Sequence, residues 1–256
     1  GSRRCKRHHV KEAVNVIKKK LISLIEILLV ICIAVSGYKI GSYYLAGHQF
    51  TKEHEELKAS IREDTTDEHK KSEEKPNLVA QLKKDYPDMV GWIKIEGTAI
   101  DFPVVQGKDN DFYLHHTYKG EYHPFGEVFM DKDDKPDYSD QNTVLYGHNV
   151  RSGYVFHELE QFKDQSFRDA HPSITIDTVD GKKTYDIVAV YTASAYDPYR
   201  KPNYSEEEWE KFREWVKGKN RLKETLPGKD AHILTLSTCS DEEDRLVVHA
   251  VRRDEK

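Results

Sequence analysis

Ala231-His232-Ile233-Leu234-Thr235-Leu236-Ser237-Thr238-Cys239-Ser240 is followed, after a short acidic stretch, by Asp244-Arg245-Leu246-Val247-Val248-His249-Ala250-Val251. Both runs are apolar and rich in β-branched residues, and the polar residues between them read as a turn, so the pair predicts two adjacent strands. Cys239 ends the first strand and Arg245 begins the second, which sets a thiol and a permanent cation at one end of neighbouring strands. A free thiol titrates near about pH 8.5, so only a few per cent is thiolate at neutrality. A nearby cation favours the thiolate, and a guanidinium can donate hydrogen bonds to a developing oxyanion. The bland alternative is a buried structural cysteine beside a surface arginine, since free cysteine is among the most buried residue types.

Working outward, further short strands are predicted at 90–95, 100–106, 126–130, 143–146, 174–176 and 185–192, with glycines or polar turns marking several of the breaks. Many short strands joined by turns indicate an all-β barrel or sandwich. Leu78, Val79, Leu82 and Tyr86 fall at helical spacing until Pro87 stops the pattern. A second helix is predicted near 205–216, where Ser205 caps three glutamates and Trp209, Phe212 and Val216 form an apolar stripe. A shorter one is expected around 155–167.

With 33% charged and 37% apolar residues the chain looks too polar for one core, but the composition is uneven. Residues 1–20 hold eight basic side chains and one acid, leaving the remainder strongly acidic, which argues against nucleic acid as a partner. Residues 21–40 are apolar and long enough to span a bilayer. Glu26 opposes insertion by roughly 3 kcal/mol, while the Leu, Ile and Val residues each return about 0.3–0.6 kcal/mol. Basic residues before the span predict a cytoplasmic N-terminus and an extracellular body. Ala34-Val35-Ser36 would also suit a cleaved leader. The expected organisation is a basic tail at 1–20, a membrane anchor at 21–40, a charged stalk at 41–77 and a folded domain at 78–256. The stalk has too few large apolar residues to bury a core and reads as a solvated spacer.

Cys5 and Cys32 fall in the tail and the span, so Cys239 is the lone thiol of the body. A lone extracellular thiol is either filler or reactive. Among thirteen histidines, His148 follows Gly147 at the end of a predicted strand, an arrangement that lets a ligand approach closely. His249 competes, because alternation puts Arg245, Val247 and His249 on one face, whereas His232 lies opposite Cys239. The acidic run Asp131 to Asp137 fails the EF-hand template, with Pro136 where the turn glycine belongs, and reads as a solvated loop. No zinc-ligand spacing, phosphate-cradling loop or Gly-x-Ser-x-Gly elbow occurs.

Leu236-Ser237-Thr238-Cys239, the downstream Arg245-Leu246-Val247-Val248-His249-Ala250, and Tyr146-Gly147-His148-Asn149 together resemble the sortases. Gly91-Trp92-Ile93-Lys94-Ile95, the segment Ile100 to Gly107, the segment Lys108 to His116 and the late helix resemble class B in particular. The resemblance covers about residues 78–252 and the anchor. It implies a closed eight-stranded β-barrel with an N-terminal helix and a helix in the loop before the cysteine strand. It further implies a membrane-anchored cysteine transpeptidase of Gram-positive bacteria, needing no cofactor or metal. Such an enzyme cleaves an Asn-Pro type sorting signal and passes the thioacyl group to an amine of peptidoglycan or another protein. Cys239 matches the nucleophile, His148 the acid–base residue and Arg245 the oxyanion-steadying arginine. Ser237, Thr192, Tyr196, Asn110 and Leu114 match substrate-contact positions. The Cys239–Arg245 connection is shorter than in some class B members, and Ser240 stands where at least one has an acid, which bears on pocket shape. The alternatives are a cysteine hydrolase using the same groups with water, and a binding module in which the thiol is inert.

Overall fold

The computed structural model describes residues 2–64, 77–150, 153–239 and 244–253. The chain divides into two compact units, Gly1–Glu53 and His54–Lys256. The first consists of most of a continuous helix, α1 (Ser2–Asp64). Among the described residues, this is the one helix long and apolar enough to cross a membrane.

In the second unit, α2 (Leu78–Asp85) starts at Asn77, whose side chain accepts the Ala80 N–H at 3.0 Å, and ends just ahead of Pro87. Among the described residues nine strands follow: β1 (Met89–Ile95), β2 (Asp101–Val105), β3 (Val128–Met130), β4 (Asn142–Val150), β5 (Tyr154–Val155), β6 (Ser173–Thr178), β7 (Gly181–Ser194), β8 (Ile233–Cys239) and β9 (Asp244–Arg252). Two more helices punctuate them, α3 (Gln165–Ala170) and α4 (Glu206–Lys219). The expected capping of α4 is present as a full capping box between Ser205 and Glu208.

The strands run β3-β2-β1-β6-β7-β9-β8-β4, and the β3–β4 pairing joins the two ends into a closed eight-stranded barrel. The two-residue β5 hangs on β4 as a hairpin outside this circuit. Barrels of this size are filled by side chains, so helices can cover only the outer wall. Two outer clusters result. Leu57, Val79 and Leu82 pack with Trp92, Val105, Phe129 and Tyr146, and Trp209, Phe212 and Val216 of α4 pack with Tyr191, Tyr199 and Val247. Where the wall is uncovered, burial alternates along the strand, as in β6; where it is covered, as in β8, six successive residues are buried. That cover explains why the cysteine strand reads as a continuous apolar run.

Three expectations are corrected. The segment expected to be a solvated stalk contributes His54 and Leu57, which are buried within the second unit; residues 65–76 of it lie outside the described residues. The strand expected at 143–146 continues through Gly147-His148-Asn149, because β8 and β5 supply partners along its whole length. The acidic loop is only partly solvated: Lys132, Asp133, Lys135, Pro136 and Asp137 are exposed, but Asp131 and Asp134, with Asp140 just beyond, are buried and accept the backbone N–H groups of Asp133, Val144 and Lys135. These carboxyl groups staple the loop to the barrel, and among the described residues no His, Cys, Asp and Glu cluster could hold a metal.

Candidate active site

The site is built by β4 and β8, which run parallel because the long connection carrying α4 returns the chain in the same direction. Their register pairs Tyr146 with Ser237, Gly147 with Thr238 and His148 with Cys239. Directly paired residues project to the same face, so the imidazole and the thiol leave neighbouring strands side by side. On the other flank β9 is antiparallel to β8, with Ser237 opposite Val247. Continuing that register by two residues brings Cys239 level with Arg245. Arg245 itself pairs with Ala193 of β7.

Gly147 allows this close assembly. A Cβ there would lie 2.8 Å from the Phe156 ring and 2.9 Å from Val155, so only glycine fits beneath the β5 hairpin. The His148 Nε2–H donates to the Leu114 carbonyl at 2.8 Å, which makes Nδ1 the basic nitrogen of the neutral ring. Leu114 therefore acts here through its backbone, while its half-buried side chain packs against the first outer cluster, as Cys239 does.

Burial pushes the Cys239 thiol up to about 12, against the pull of the Arg245 guanidinium, a backbone hydrogen bond from Gly147 and the Arg200 guanidinium. Cys239 retains some contact with solvent, which moderates this burial; the upward direction stands. Burial therefore favours the neutral thiol, and a nucleophilic role for it would need a base to take its proton.

Ser237 is buried one rung pair below Cys239, and its Oγ lies 3.1 Å from the Tyr199 hydroxyl. Thr192 pairs with Leu246, next to the Arg245 rung. Tyr196 is 90% exposed in the loop after β7. The Asn110 side-chain oxygen accepts the Lys132 N–H at 2.9 Å. Ser240 and the short 240–243 connection lie outside the described residues. The competing His249 is fully buried and hydrogen-bonded to Tyr191 and Thr235, away from the thiol's rung. Tyr199 and Arg200 were not visible in the sequence as site neighbours, since roughly forty residues separate them from Cys239 and no spacing rule links them. The Leu114 carbonyl was equally hidden, because backbone groups carry no sequence signal.

A closed barrel carrying a thiol and an imidazole on paired rungs, with a guanidinium on the next strand, defines a class of cysteine acyl-transfer enzymes. The Sortase domain family matches residues 93–253. Sortase B of Listeria monocytogenes is 34% identical over 212 residues, covering 82% of this chain and 85% of that protein. A Staphylococcus aureus sortase B–substrate complex superposes with a TM-score of 0.74 at 28% identity, over 83% of this chain and all of that one. A sortase B complexed with triglycine gives a TM-score of 0.73 at 28% identity, over 82% and 99%. The chain belongs to the sortase family of cysteine transpeptidases. Within it, the chain is of the sortase B type.

Proposed function

We propose that this sortase is anchored by residues 21–40, with its N-terminus cytoplasmic and its catalytic domain outside the cell. There it cleaves an Asn-Pro type signal near the C-terminus of surface proteins and joins the product to a cell-wall or protein amine. The observation that carries the proposal is the His148–Cys239 rung with Arg245 on the next strand. Cys239 Sγ attacks the scissile carbonyl carbon while its proton passes to His148. The resulting oxyanion is stabilised by Arg245. The C–N bond breaks as His148 returns the proton to the leaving amine, and a thioester remains on Cys239. An incoming amine then attacks the thioester carbon and gives its proton to His148; the C–S bond breaks, and His148 returns that proton to the departing sulfur, restoring the thiol. Ser237, Thr192, Tyr196, Asn110 and Leu114 line the path of the signal peptide. A relative crystallised with triglycine supports a glycine-like amine as acceptor.

The test is the full chain in detergent, an Asn-Pro type peptide and triglycine, with products and adducts read by mass spectrometry. A ligated peptide with a transient adduct on Cys239 is expected. Cleavage without ligation would instead establish a hydrolase, and an inert Cys239 with every peptide would overturn the proposal.

A further inference from the structure

We infer that the barrel-side end of α1 positions His148: His54 locks, through Glu127, the segment 113–127 whose Leu114 carbonyl orients the catalytic ring. The inference rests on the reading of His148 above. His54 is 3% exposed and Glu127 fully buried. The His54 Nε2 lies 3.2 Å from both Oε1 and Oε2 of Glu127, so the ring presents its N–H to the whole carboxylate. Phe102 and Tyr118 stand edge-on to the imidazole at 5.6 and 5.8 Å and fix its plane.

Glu127 distributes that restraint. Its carboxylate accepts the backbone N–H groups of Tyr118 and Val128, at 3.3 and 3.2 Å. Its own N–H donates to the Tyr113 carbonyl at 2.9 Å. Gly126, with φ of +59°, presses so close that a Cβ would lie 2.3 Å from the Tyr113 oxygen and 2.5 Å from the Leu114 oxygen. The Leu114 oxygen is the acceptor of His148 Nε2. Leu57, one turn past His54, is buried in the same cluster as Tyr113, Tyr118 and Tyr146, with Leu114 and Cys239 packed against it. Lys58 adds an ion pair to Asp101 at 3.3 Å, and Asp101 accepts the Trp92 indole N–H at 2.6 Å.

A continuous series of contacts thus runs from α1 to the reacting histidine. A buried hydrogen-bonded pair contributes little net stability compared with an apolar pair of the same volume, and here its bonds set the geometry. Misplacing a catalytic group by about 1 Å can cost on the order of 10²-fold in rate. A partial release of Leu114 should therefore cost about tenfold in kcat, with the substrate groove unchanged.

The experiment uses the full chain in detergent and follows ligation of the sorting peptide to triglycine. His54→Ala should lower kcat about tenfold with KM within about twofold, and should shift the ¹⁵N resonances of the His148 ring. His54→Gln keeps a donor toward Glu127 and should recover most of the rate. The double variant His54→Leu with Glu127→Gln retains packing without the His54–Glu127 hydrogen bonds, and should lose kcat as His54→Ala does even if the single variant folds poorly. Unchanged kcat in the folded His54→Leu/Glu127→Gln protein would overturn the inference. His148→Ala, run in parallel, separates the two levels: if it retains activity, the site reading itself falls. If it is inactive while the α1 variants are not, only the positioning role falls.

Discussion

The histidines on the two strands that flank β8, His148 and His249, respond oppositely to substitution, and the contacts of His249 give the magnitude. Tyr191 donates its hydroxyl to Nε2 at 2.6 Å, Nδ1–H donates to Thr235 Oγ1 at 2.8 Å, and Thr235 donates onward to Asn142 Oδ1 at 2.6 Å. Every site on the neutral ring is used, and burial holds its pKa down to about 3. The unfolded ring titrates near about 6.5, so between these values the unfolded chain binds the extra proton. The stability His249 supports is therefore complete above about pH 6.5 and is lost as the pH falls, at about 1.4 kcal/mol per unit. From pH 6.5 to 4.5 the loss is about 3 kcal/mol. His249→Gln can pair with Tyr191 and Thr235 less well and should cost about 1–3 kcal/mol at pH 7.5, yet it removes the titration. Urea unfolding of a chain spanning His54–Lys256, at pH 7.5 and 4.5, should show the parent's advantage over His249→Gln shrinking by about 3 kcal/mol. Parallel pH dependences would refute the account of a buried neutral ring. In the same preparations His249→Gln should keep turnover within about twofold, whereas His148→Ala should lose on the order of 10²–10⁴. The reverse pattern would reassign the base.

Arg245→Lys should lower kcat by about 10²-fold, because an ammonium lacks the planar fork of donors that faces a developing oxyanion; steady-state ligation kinetics measure it. Since burial dominates at Cys239, its alkylation by iodoacetamide should rise about tenfold per pH unit up to pH 9 without a plateau; a midpoint near neutrality would mean that the cations prevail. Burial pushes the Asp134 carboxyl up to about 8, well above the unfolded value, so the folded state holds its proton and loses stability as pH rises from about 4 to about 8. Asp134→Asn should remove that decline in unfolding experiments across this range.

The barrel strands were legible because alternating or continuous apolar runs between turns carry their own periodicity, and α4 because its cap and stripe are local in sequence. The helix long and apolar enough to cross a membrane was legible from hydropathy alone. The end of α1 was not, since a charged helix with few large apolar residues looks solvated until the aromatic pocket that receives His54 is assembled. The acidic loop misled for the same reason: Asp131, Asp134 and Asp140 are buried only because backbone N–H groups from three separate positions converge on them. The choice between His148 and His249 was also open, as strand alternation gives a face but not a rung. The sequence by itself determined the chemical cast, a lone thiol, a strand-borne histidine and an arginine, because side-chain chemistry and short-range periodicity are written residue by residue. Only the tertiary structure decided the pairing of His148 with Cys239, the Leu114 carbonyl that sets its tautomer and the burial that favours the neutral thiol. Strand register, backbone acceptors and desolvation are fixed by contacts among segments far apart in the chain.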